Sequence, residues 1–195
     1  MRKIVLLSFL TLDGVVQAPG GREEDVSGGF EHGGWVTPFF DESLGQEMEK
    51  QMAGPFDLLL GRKTYDIFAS YWPYHLDEWP GLVNAMKYVV SRHPVKGRWD
   101  GTSGVTGGVP AQIRALKALD GPVIQVHGSG EMAQTLFEHG LVDELWLKFF
   151  PITLGQGKRL FGPGTRPANF RLTSSSVTPG GVLLARYEKT NEVQP

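Results

Sequence analysis

Three short segments carry residue types suited to a phosphorylated ligand. Gly61-Arg62-Lys63-Thr64 places two cations and a hydroxyl where an apolar stretch gives way to a helical one. Ser91-Arg92-His93 offers another hydroxyl and cation in an equivalent place, and Gly128-Ser129-Gly130, followed by Glu131 and Met132, lets a backbone approach a pyrophosphate closely. At such junctions a helix N-terminus presents unpaired N–H groups and the positive end of its dipole, which favours an anion. Each segment alone reads equally well as turn geometry or solvated surface. Their conjunction describes a site for a phosphorylated dinucleotide, and the basic residues near Gly61 and Ser91 point to a 2′-phosphate.

The residues available for proton transfer are fewer. Asp13 stands in an Asp-Gly pair that either turns the chain or faces the ligand. Asp41 stands at the start of a helix, where interaction with the dipole would also account for it. Trp35 and Phe39, in or beside long loops, either stack on a planar substrate or cap the core. His32, His75, His93, His127 and His139 show no paired spacing and no cysteine assists them, so no metal site is expected. The run Gly128 to Ala133 imitates a dinucleotide fingerprint, but it lies far from the N-terminus and lacks a clear βαβ continuation with a ribose-binding acid. Ser129 lacks the glycine spacing of a nucleophile elbow, which disfavours a hydrolase.

The elements that must position these residues alternate. Apolar stretches at Lys3 to Leu12, Asp57 to Leu60, Lys87 to Val90, Val123 to Val126 and Glu144 to Phe150 read as strands. A Gly/Pro-rich loop follows the first and runs to Gly34. Thr37-Pro38 is expected to open a helix with a stripe of Phe40, Leu44, Met48 and Met52; further helices carry Tyr65 and Phe68, start at Pro110, and run from Glu131 to His139 before Gly140. Phe170 to Val177 and Val182 to Tyr187, joined by Thr178-Pro179-Gly180-Gly181, read as an antiparallel hairpin closing a parallel sheet. The expectation is a single three-layer α/β domain over residues 1–195 with a mixed, mostly parallel sheet.

Composition narrows the class. The 195 residues are 41% hydrophobic, enough for one core, and 19 basic residues against 21 acidic ones, without a Lys/Arg run, make nucleic acid an unexpected partner. The absence of cysteine fits a reducing cytoplasm. Arg2 and Lys3 before an apolar run imitate a secretory signal, but Ser8, Thr11 and Asp13 interrupt it, and its length suits a strand; no transmembrane segment is expected.

The segment GSGEMAQTLFEHGLVDELWLKFFPITLGQGKRLF, Gly128 to Phe161, resembles the dihydrofolate-reductase-like group that contains the reductase domain of the bifunctional riboflavin-biosynthesis deaminase/reductase. LTLDGVVQAPGG from Leu10 is similar to that family's opening strand and loop, and GRKTYDIF from Gly61 to Phe68 looks like a folate-reductase segment. The resemblance spans nearly the whole chain and implies the dihydrofolate-reductase-like fold, with NADPH across the strand ends and hydride passed to a heterocycle or a small carbonyl or imine-type substrate. It implies phosphate contacts from Gly61, Arg62, Lys63 and Thr64, a 2′-phosphate contact from Ser91 and Arg92, and a pyrophosphate turn at Gly128, Ser129, Gly130, Glu131 and Met132. Leu12 and Asp13 fall beside the nicotinamide end, and Val16 and Ala18 in the mobile loop. The Asp-Asp-Pro segment expected of the riboflavin reductase is absent, which counts against its ribosylamino-pyrimidine, and only Asp41, Glu42 or Glu47 could supply a folate reductase's carboxylate, none at its spacing, so the substrate is left as a pyrimidine, a pterin or a related compound. The family also implies a homodimer, for which the doubly apolar strand around Leu145, Trp146, Leu147 and Phe149 is a candidate surface. A non-catalytic NADP(H)-binding protein is the alternative.

Overall fold

The computed structural model describes residues 1–128 and 130–190. Eight strands form one sheet: β1 (Ile4–Thr11), β2 (Phe56–Gly61), β3 (Lys87–Val90), β4 (Thr102–Val105), β5 (Val123–His127), β6 (Glu144–Phe150), β7 (Phe170–Val177) and β8 (Leu183–Lys189). Their order is β4-β3-β2-β5-β1-β6-β8-β7. Neighbours from β4 through β6 pair in parallel, and β8 runs antiparallel to both β6 and β7. Helices α1 (Glu42–Met52), α2 (Arg62–Tyr71), α3 (Val109–Ala118) and α4 (Gly130–Glu138) cover the two faces. The mixed, mostly parallel three-layer sheet with its C-terminal hairpin is the architecture expected from the alternation of apolar stretches and glycine turns.

Strand alternation sorts the core. Ile4, Leu6 and Leu10 of β1, with Ile124 and Val126 of β5, pack against Ile113 of α3 and Met132, Ala133 and Leu136 of α4. On the opposite face Leu58 and Leu60 of β2 pack with Tyr65 of α2, and Phe150 with Leu44 of α1. Leu44 is fully buried, which is worth roughly 1.5–3 kcal/mol. At the amino ends of the strands Arg2 and Asp57 form a buried ion pair; Arg2 Nε also donates to Pro122 O at 2.7 Å, and Asp57 accepts from Met86 N–H at 2.8 Å.

Two local readings change. Thr37-Pro38 begins only a 3₁₀ turn (Thr37–Phe39); Phe40 is extended and more than half exposed, and α1 starts afterwards because the Asp41 side chain accepts the Leu44 N–H. β4 is an addition: four residues, one of them glycine, carry too little periodicity to be read as a strand and hold their place by pairing with β3. The apolar β6 lies inside the sheet, with Leu145 and Leu147 packed in the α4-side core and Trp146 under the Arg186 guanidinium. Among the described residues no helix is long and apolar enough to cross a membrane.

Candidate functional site

Register brings the three candidate anion-binding segments to one edge. Gly61 of β2 pairs with Val90 of β3, so Arg62 and Ser91 leave their strands side by side. β5 lies on the other side of β2, and Gly128, at its carboxyl end, has φ +65°; a Cβ there would sit 3.7 Å from Thr64 Oγ1. That places the glycine turn against the first turn of α2. Gly61 caps α2 without a side-chain bond. Arg62 is held by Asp66 at 2.8 and 3.0 Å, whereas Arg92 is exposed and has no ion-pair partner among the described residues. Ser91 Oγ accepts from His93 N–H, and Glu131 lies exposed in the first turn of α4. Met132 is buried in the core, so only its backbone can serve the turn. Ser129 lies outside the described residues.

The loop after β1 is stitched over this edge. Asp13 accepts from the Thr11 hydroxyl at 2.6 Å and from the N–H groups of Leu154 and Gly155, and Arg159 pairs with it at 3.6 Å. The Thr11 hydroxyl and then the two amides hold its carboxyl down at about 2. Gln17 binds Lys158 N–H through its side-chain oxygen and the carbonyls of Asp25 and Ser27 through its side-chain nitrogen. Val16 N–H donates to Lys158 O, and exposed Leu12 is tied by its N–H to Ile152 O. Ala18 is the single non-glycine residue with positive φ, +46°, among the described residues. Asp25 then sits between two cations, pairing with Lys63 through one oxygen and with Lys158 at 2.8 Å through the other. Burial raises its carboxyl, but the bonds from Lys158, Lys63 and Ser27 outweigh that and hold it well below the usual carboxylate range.

The remaining predicted residues are anchors. Trp35 is buried, donates its indole N–H to Gln17 O at 2.8 Å and meets Phe150 edge-on; Phe39 also packs on Phe150. Both rings pack in or against the core beneath the loop, as the core-capping alternative expected. Asp41 caps α1 and accepts Gly180 N–H at 2.9 Å, joining the helix to the hairpin turn; the Leu44 and Gly180 amides lower its carboxyl. Both candidate acids are thus ionised carboxylates bound to backbone amides.

A polar row missed by the sequence reading lies under α1. Lys148 of β6, in register with Phe9 of β1, is buried, with Nζ 2.6 Å from Gln51 Oε1 and 5.3 Å from the Phe9 ring centre. Gln51 O accepts from Gln125 Nε2 at 2.9 Å, and Gln125 Oε1 lies 2.9 Å from His127 Nε2, next to Gly128. Burial pushes the Lys148 ammonium down to about 8; burial first, and Lys148 second, push His127 down to about 3. The sequence signal was a lone lysine inside Leu-Trp-Leu-Lys-Phe-Phe, a charge on an inward strand face.

A mixed, mostly parallel sheet with glycine turns and cations gathered at one edge and buried polar groups behind them defines an α/β protein of the doubly covered, ligand-at-the-strand-ends class. Residues 2–184 match the RibD C-terminal domain, and the chain belongs to that family. The uncharacterized protein YyaP of Bacillus subtilis (strain 168) is 26% identical over 95% of this chain and 94% of its own. Among solved structures, a protein from Shewanella sp. PV-4 named for riboflavin biosynthesis superposes with a TM-score of 0.74 at 21% identity, over 97% of this chain and all of its own. A pyrimidine reductase-like protein of Corynebacterium diphtheriae gives 0.64 at 14% identity, over 98% and 93% of the two chains. Dihydrofolate reductase from Enterococcus faecalis, complexed with NADP(H) and RAB-propyl, gives 0.62 at 14% identity, over 97% of each. These likenesses establish the dihydrofolate-reductase-like fold.

Proposed function

We propose that the protein is an NADPH-dependent reductase that passes hydride to a small planar heterocycle, a pyrimidine or a pterin. The observation that carries this reading is the convergence of Lys63, Thr64, Gly128 and Lys158 at one sheet edge: cations and a hydroxyl surround a turn whose glycine leaves room for a phosphate. The free Arg92 beside Ser91 supplies the cation for a 2′-phosphate, and family membership supports the assignment. When bound, the nicotinamide supplies the hydride. The chain's own residues bind the phosphates, exclude water with the loop from Leu12 to Gly34, and hold a proton. Asp13 and Asp41 are held as carboxylates, so we assign the proton to Lys148 Nζ, which burial lowers to about 8 and which the Gln51, Gln125 and His127 row links to the Gly128 turn.

A second reading, a non-catalytic NADP(H)-binding protein, is favoured by one observation: both candidate carboxylates are consumed by backbone amides. NADPH consumption separates the two. Oxidation accelerated by a pterin or an aminopyrimidine supports the reductase; tight NADPH binding with no consumption across both substrate classes supports the binding protein.

A further inference from the structure

We propose that Asp25 is an internal stand-in for a ligand phosphate: its carboxylate fills the seat between Lys63 and Lys158, and a phosphorylated dinucleotide takes that seat only by displacing it. The inference rests on the phosphate-binding reading above and adds to it a competition within the chain for the two lysines.

The three groups come from distant parts of the sequence and meet at the sheet edge. Asp25 belongs to the loop after β1, Lys63 to the first turn of α2, and Lys158 to the loop after β6. Asp25 is 13% exposed in its side chain, while the two lysines are 53% and 42% exposed, so the anion is enclosed and the cations reach in from solvent. Both carboxylate oxygens are engaged: Oδ1 by Lys63 and by the Ser27 N–H and hydroxyl, Oδ2 by Lys158. Such an arrangement of donors around two oxygens is also what a phosphate requires.

The seat adjoins both glycines of the candidate pyrophosphate turn. Gly128 faces Thr64, the neighbour of Lys63, and a Cβ on Gly130 would meet Lys158 Cβ at 3.9 Å. A phosphate at that turn is therefore within reach of the same two lysines, and the Asp25 carboxylate beside it would repel it. The loop is built to hold and to release. Gln17, pinned by the Trp35 indole, grips the carbonyls of Asp25 and Ser27, while Gly28 and Gly29 follow directly with φ of +73° and +72° and open space around both. Two successive glycines in the left-handed region let the Asp25 turn swing away without moving the anchored Trp35.

An occupied seat lowers apparent affinity by the fraction of molecules in which it is open. A tenfold preference for the closed form makes NADPH binding about tenfold weaker than the seat itself allows. The test titrates wild type, Asp25→Asn and the double variant Asp25→Asn/Lys158→Gln with NADPH by tryptophan quenching, and follows hydrogen exchange at the Ser27 amide. Asp25→Asn is expected to bind about tenfold tighter than wild type. The double variant is expected to lose at least about fivefold relative to Asp25→Asn, and NADPH is expected to speed Ser27 exchange in wild type. Wild-type binding left unchanged or weakened by Asp25→Asn would overturn the competition, leaving the phosphate site intact; an undiminished double variant would remove Lys158 from it. No NADPH binding by any of the three proteins would remove the site itself and the proposal with it.

Discussion

Lys148 is a buried ammonium whose one hydrogen-bond acceptor among the described residues, Gln51 Oε1, is neutral, and replacing it with methionine should stabilise the protein. Its folded pKa of about 8 against an ordinary 10.5 corresponds to about 3 kcal/mol of penalty on the charged form. Between those two values the unfolded chain keeps the proton and the native chain has lost it, so native stability rises with pH; below about 8 both states carry it and the penalty is constant. Lys148→Met has no such penalty but strands Gln51 Oε1, at a cost of about 1 kcal/mol. At neutral pH the variant should be more stable by roughly 1–2 kcal/mol, with the gap closing as pH approaches 10.5. Urea unfolding of both proteins from pH 7 to 10.5 reads this directly. Parallel stability curves, or a variant less stable at neutral pH, would refute the account of Lys148. The same variant should bind NADPH but turn over substrate far more slowly, as a residue kept for function at a cost in stability would require.

Further outcomes follow from other contacts. Asp57→Ala leaves Arg2 buried without its partner and should cost about 3–5 kcal/mol in urea unfolding. Asp41→Ala should cost about 1 kcal/mol through loss of the α1 cap and leave NADPH affinity unchanged; lost turnover without lost stability would instead make Asp41 the acid. Because His127 is held at about 3 against an ordinary 6.5, the unfolded chain gains its proton first as pH falls, so stability should decline from about pH 6.5 towards 3; His127→Gln should flatten that part of the profile. Gly128→Ala forces an L residue to φ +65° beside Thr64, and should lower stability by about 1–2 kcal/mol and weaken NADPH binding.

What the sequence made legible was local. Gly61 and Gly128 mark junctions between an apolar stretch and a helix, and a strand-helix alternation is enough to place such junctions at one sheet edge. The long-range partners were illegible for the opposite reason. Asp25 and Lys158 are 133 residues apart and Gln51 and Lys148 are 97 apart, so no spacing rule connects them. Asp13 and Asp41 were visible as acids, but the backbone amides that occupy them come from Leu154, Gly155 and Gly180, which only the folded chain brings near. Trp35 stayed ambiguous for a related reason: an aromatic residue in a glycine-rich loop is placed only when the loop folds its ring onto Phe150. The helix stripe at Phe40 failed because a cap one residue later sets where the helix begins.

The most direct test of the central claim is a titration of the purified protein with NADPH and, separately, with NADH, followed by quenching of tryptophan fluorescence. The account predicts binding of NADPH at least about tenfold tighter than NADH, a preference worth about 1.4 kcal/mol from the cations beside the 2′-phosphate, and its loss in Arg92→Ala. Absence of binding by either nucleotide would contradict the account and leave only the fold.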